Sequence, residues 1–148
     1  MQHTLSTAFA TTLLTHLYPH STITLTLHVL SQDGSLLSAC LNAATLALID
    51  AGIPMTDYIS SVTVATTDTE EDADPLLDVN GLEEVELPYL TLAAVGEKVV
   101  VLILETRVQV GRLEVMVAVG LDGCREVRAI LDGVVRARGR RLVEGKVG

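Results

Sequence analysis

The chain has 148 residues, of which 49% are hydrophobic and 20% charged, and it carries a formal net charge of −9. A chain of about 150 residues buries roughly 68–70% of its unfolded surface, so it can hold a real core. This composition excludes a disordered acidic tail and a disulfide-stapled miniprotein. Its acid surplus makes the isolated chain a poor binder of phosphodiester backbones, so any contact with RNA needs partners that supply positive charge.

Residues 4–17 place Leu5, Phe9, Leu13 and Leu17 at helical spacing, which predicts a helix ended by Pro19. The opening MQHTLSTAF has no positive stretch leading into an apolar one, so no signal peptide is expected. Residues 22–30 (TITLTLHVL) alternate strictly, with Ile23, Leu25, Leu27 and Val29 on one face and Thr22, Thr24, Thr26 and His28 on the other, the pattern of a half-buried strand. Ser31-Gln32-Asp33-Gly34 is a turn by composition. It opens a buried helix over 35–51 that stops at Gly52, with only Ser38, Asn42, Thr45 and Asp50 interrupting its apolar surface. That run is shorter than the ~20 apolar residues a membrane span needs.

A second strand is expected over 58–66, an acidic solvated loop over 68–74, and a short strand over 76–79. Residues 88–95 and 98–105 form a hairpin about Gly96-Glu97. From 110 to 143, Leu113, Met116, Val117, Cys124, Val127, Leu131 and Val134 recur at three and four, predicting one long amphipathic helix. Glycines 120, 123, 133 and 139 within it cost about 1 kcal/mol each relative to alanine, so packing must hold that helix together. The fold class is therefore α+β: a single domain over 1–148, with a mixed β-sheet carrying two long helices.

Few constellations carry chemistry. Cys40 and Cys124 stand alone among apolar residues and read as buried small hydrophobes. Asp68, Glu70, Asp72 and Asp74 alternate like the start of a calcium loop, but the twelfth position is Val79 and the sixth is not glycine. His16 and His20 are four apart, but Pro19 breaks a helix between them. Neither group is read as a metal site, and no cofactor is called for. The dinucleotide, phosphate-loop, zincin and hydrolase signatures do not occur. Asp33-Gly34-Ser35, at a strand-to-helix junction, suits either an anion held on the first helical N–H groups or a simple helix cap. Charge is also segregated: the first 97 residues have no Lys or Arg, and all ten bases lie from Lys98 onward.

Two runs are more specific. HVLSQDGSLLSACLNAATLALIDAGIPMTDYISSVTVA (28–65) and PLLDVNGLEE (75–84) resemble the RNase PH family, and within it the ring subunits of the eukaryotic RNA exosome. The resemblance implies an RNase PH-like fold (ribosomal protein S5 domain 2-like), built into a six-member ring of paired subunits through which RNA is threaded. It also implies heterodimeric partners of the same family, cap subunits, an associated nuclease, and residence in nucleus, nucleolus and cytoplasm. Active relatives cleave RNA from its 3′ end with inorganic phosphate as the nucleophile. Against that pattern, the phosphate element reduces to Asp33, Gly34 and Ser35, followed by Leu36 and Leu37, which cannot donate to phosphate. Glu84 matches one of two family acids, while the region of the second reads 87–90, Leu-Pro-Tyr-Leu. The family's Arg after Tyr-Pro is His20 here. The resemblance thus implies a catalytically silent subunit in which Glu84 is a vestige, with an active phosphorolytic exoribonuclease and a stand-alone ligand-binding domain as the rival readings. The family's N-terminal strands and RNA-facing bases would precede residue 1, so the chain is expected to begin in mid-domain.

Overall fold

The computed structural model describes residues 1–67 and 74–145. In chain order these form α1 (Gln2–Thr12), a single 3-10 turn (Thr15–Leu17), α2 (Leu36–Asp50), β1 (Ser60–Ala65), β2 (Leu76–Leu77), α3 (Gly81–Glu86), β3 (Tyr89–Val95), β4 (Lys98–Leu104) and α4 (Val110–Glu144). The strands make one sheet in the order β2-β1-β3-β4, and every described pair is antiparallel. The predicted hairpin forms about a two-residue turn, and one extra residue, Val100, is accommodated as a bulge where Ala93 pairs with Val101 and Ala94 with Val99.

The sheet is covered on both faces, which gives three layers and two cores. On one side Ala8 and Phe9 of α1 and Leu41, Ala44 and Leu48 of α2 pack with Ile59, Ala93 and Val101. On the other, Met116 and Cys124 of α4 pack with Val62, Val64, Leu90, Leu92 and Ala94. This explains why all six residues of β1 are buried although the strand is half polar. It also explains two of the glycines in α4: a Cβ at position 120 would lie 3.1 Å from Val64 Cγ2, and one at 123 would lie 3.2 Å from the Leu77 methyls. Close approach of helix to sheet needs the missing side chain. Glycines 133 and 139 have nothing within 4 Å, so no contact explains them.

Three expectations are corrected. The first helix ends at Thr12, well before Pro19, because Leu13 turns extended (ψ 135°) and bridges Met55, with Leu14 N–H donating to Pro54 O and Thr56 N–H to Thr12 O. The alternating segment 22–30 is not a strand: none of its residues takes part in a hydrogen bond among the described residues, although Ile23 and Leu27 still pack against the α1/α2 core. Alternation specifies a face, but a ladder also needs a neighbour. Residues 81–86 form a short helix where none was expected, and Asn80 signals it: its Oδ1 accepts from Leu82 and Glu83 N–H, and Glu83 Oε2 accepts from Asn80 N–H. The calcium-like acidic run lies at 68–73 outside the described residues, apart from exposed Asp74.

The polar residues of α2 do not merely break its surface. β2 pairs only with Val64 and Ala65, which leaves the rest of that edge of β1 without a strand. Asn42 fills the gap like a short strand, its Nδ2 donating to Ser61 O and its Oδ1 accepting from Ser61 N–H, both at 2.9 Å. Thr45 Oγ1 donates to Ile59 O at 2.9 Å, and Asp78 N–H donates to Thr63 O at 2.8 Å. Both backbone groups of Ser61 and the carbonyls of Ile59 and Thr63 are thereby satisfied on that edge, as buried backbone requires.

Candidate functional site

The turn before α2 and the segment entering α3 meet in space. Gly34 adopts φ +84°, and a Cβ there would fall 2.4 Å from Val79 O and 2.5 Å from Asn80 C, so the two backbones cross in contact. Ser35 follows in the left-handed region at φ 49°, and its Oγ donates to Val79 O at 2.9 Å. Ser38 Oγ donates to Ser35 O at 2.9 Å. The turn therefore presents the start of α2 directly to the residues after β2.

Two carboxylates are exchanged across this crossing. Asp33 Oδ1 accepts from Gly81 N–H, the first residue of α3, at 3.2 Å. Glu84 Oε1 accepts from Ser35 N–H, at the start of α2, at 2.6 Å. Each acid lies where the helix ends concentrate unsatisfied donors and partial positive charge, the place an anion would take. Asp33, Gly34, Ser35 and Glu84 are thus brought into one site. The hydroxyl of Ser35 and its amide are both committed within it. Leu36 and Leu37 stand half-buried beyond the turn, and Leu90, in the region of the expected second acid, is fully buried in β3. Glu84 is also felt by Tyr89, whose phenol is pushed up by burial first, then by the charge and hydrogen bond of Glu105, and last by Glu84.

His20 is exposed in the turn after the 3-10 helix, and among the described residues no hydrogen bond or ion pair joins it to this site. Among the described residues no group of three or more His, Cys, Asp or Glu could hold a metal ion, and no helix is long and apolar enough to cross a membrane. Cys40 and Cys124 are free and buried. Ion pairs among the described residues engage bases that give the last third its surplus: Arg125 with Asp122 and Glu97, Arg128 with Asp57, Arg136 with Asp132, and Arg138 with Asp50.

Residues 1–54 match a family model described as the 3′ exoribonuclease family, domain 1, of RNase PH type. The fold is RNase PH-like. The chain is 39% identical over 145 residues to the exosome complex component SKI6 of Saccharomyces cerevisiae, covering 97% of this chain and 57% of that one. It is 35% identical over 132 residues to the human exosome complex component RRP41, covering 86% and 52%. The chain spans about half the length of the curated relatives it matches. The crystal structure of rice (Oryza sativa) Rrp46 superposes with a TM-score of 0.81 at 24% identity, over 90% of this chain and 62% of that one, a likeness of fold. The RNase PH-like architecture expected from the NAATLALIDAGIPM and LLDVNGLEE runs is the one found.

What neither run signalled is the contact that matters most at the site, the Glu84–Ser35 hydrogen bond across 49 residues. A motif aligns residues along the chain; it carries no information on whether a carboxylate one methylene longer than aspartate reaches a particular amide.

Proposed function

We propose that this RNase PH-like chain is a non-catalytic structural subunit of an exosome core ring, supporting 3′-to-5′ RNA processing and degradation by forming part of the wall of the RNA channel. The observation that carries this reading is the Glu84 carboxylate on the Ser35 amide. A phosphate attacking RNA would need the donors at the start of α2. Glu84 already holds one of them and puts a negative charge there, and Leu36 and Leu37 add no donor in place of it. Loss of a positioned nucleophile and of one acid removes effects worth about two or more orders of magnitude each. Glu84 then acts as a strut between α2 and α3 rather than as a catalyst.

The likeness to proteins named as exosome components supports assembly with other RNase PH-like subunits, with cap subunits and with a nuclease that does the chemistry, in nucleus, nucleolus and cytoplasm. The acid surplus of the chain agrees with RNA being contacted mainly by its neighbours. The test is a purified ring containing this chain, given 3′-labelled RNA with and without inorganic phosphate. The expected result is no phosphate-dependent loss of label. Phosphate-dependent loss that disappears with Glu84→Ala would overturn the reading in favour of a phosphorolytic exoribonuclease. Native mass spectrometry of the tagged endogenous protein should show several different subunits in one ring, and recovery of the chain with no other subunit would equally overturn it.

A further inference from the structure

Helix α4 is longer than the sheet it covers: its 35 residues rise about 52 Å, while strands of 7 residues span about 24 Å. Its last buried residue is Leu131, and from Gly133 to Glu144 no side chain is buried among the described residues. Gly133 and Gly139 have open space where a Cβ would stand. This free end belongs to the helix on the far side of the sheet from α1 and segment 22–30.

The pattern on that end is specific. Ile130, Val134, Ala137 and Arg141 recur at four, three and four, the a and d positions of a coiled-coil seam, and Arg138 and Arg140 fall at the e and g positions beside it. Ile130 is 66% and Val134 52% exposed, so the seam is open. From Gly133 to Glu144 there are four arginines against one acid, Glu144, in a chain whose net charge is −9. Arg136 pairs with Asp132 on its own helix and Arg138 with Asp50, while the Arg140 and Arg141 guanidiniums have no partner among the described residues.

We propose that this end of α4 is a docking seam for an acidic amphipathic helix of another protein, with apolar side chains against Ile130, Val134 and Ala137 and carboxylates against Arg138, Arg140 and Arg141. Charge selects the occupant. A second copy of α4 would set arginine against arginine across the seam. A nucleic acid strand would leave the aliphatic seam uncovered, and α4 has no aromatic residue on which a base could stack. An acidic helix matches both parts of the surface, covering the aliphatics and neutralising the flanks. The seam spans about two heptads, which makes this a small contact of the transient class. The proposal goes beyond the ring reading and does not rest on it.

The test uses the purified full chain and a labelled synthetic peptide of about three heptads, with Leu at a and d and Glu at e and g. A Lys-flanked peptide and a single-stranded oligoribonucleotide serve as comparison probes. Anisotropy titrations should show the Glu peptide bound more tightly than the Lys peptide, although the overall charge of −9 favours the opposite order. Arg140→Glu combined with Arg141→Glu should weaken the Glu peptide at least about tenfold and invert that order. The far-UV spectrum should not change, since both side chains are exposed. Ile130→Gln combined with Val134→Gln should weaken the Glu peptide as well, which a purely ionic contact would not show. No binding of the Glu peptide, a tighter Lys peptide, indifference to either pair of substitutions, or displacement of the Glu peptide by the oligoribonucleotide would each overturn the proposal. Phosphate-dependent loss of RNA label reads Glu84 and not this seam, so the two readings fail separately.

Discussion

Gly34 shows how a single position can be functional by pattern and structural by contact. Its place in a turn before a helix suits an anion site, yet its φ of +84° and the Val79 carbonyl 2.4 Å from a would-be Cβ assign it to a backbone crossing. Gly34→Ala is expected to lower unfolding free energy by about 2–5 kcal/mol, from left-handed strain plus displacement of a neighbouring backbone, as read from urea denaturation. Cys124 offers a second test at this scale. Its thiol donates to Ser60 O at 3.4 Å, and burial pushes its pKa up to about 11. A thiol that ionises more readily in the unfolded chain than in the folded one stabilises the unfolded chain as pH rises. Its contribution to stability is therefore complete below about pH 9 and lost between about 9 and 11, roughly 3 kcal/mol in all. Cys124→Ala should flatten that part of the stability curve relative to the parent chain, measured in parallel at each pH.

Between elements, the instructive contact is that of α2 with the open edge of β1. A buried helix with Asn42 and Thr45 on it looks like a helix with two flaws until the edge of β1 is seen to need them. Asn42→Ala leaves the Ser61 N–H and C=O without partners next to the core, and should cost about 2–3 kcal/mol. Asn42→Asp retains an acceptor for Ser61 N–H but opposes a charge to Ser61 O, so it should do no better. Equilibrium unfolding of both variants checks this. A loss under about 0.5 kcal/mol would mean water replaces the side chain at that edge.

For the whole molecule, segregated charge becomes a fastening. All bases lie in the last third and thirteen acids in the first 97 residues, and the fold brings the two together. Arg128 grips Asp57 through two hydrogen bonds of 2.7 and 2.6 Å and lies 6.0 Å over the Tyr58 ring, while Arg138 reaches Asp50 at the end of α2. The Arg128–Asp57 pair is partly shielded, with side chains 38% and 33% exposed, so it falls at the upper end of the modest range for surface pairs. Asp57→Asn should cost about 1 kcal/mol in dilute buffer and distinctly less at high salt, as thermal melts across ionic strengths would show.

The sequence alone was enough for the hairpin, for α2 and α4, for the α+β class and for the family likeness. Each of these rests on information local in the chain: turn residues, three-and-four or alternating spacing, and two long specific runs. It also singled out Asp33, Gly34, Ser35 and Glu84, which the fold places beside one another. The capping box at Asn80 was equally local, and the short helix it announces could have been read from Asn80 and Glu83. Tertiary structure alone decided three things. Among the described residues it left segment 22–30 without a ladder, because pairing depends on what lies beside a strand and not on its alternation. It ended the first helix at Thr12, because Leu13 was claimed by Met55 across 42 residues. And it set Glu84 on the Ser35 amide, because that contact depends on where two backbones cross at Gly34, a distance in space that no spacing along the chain encodes.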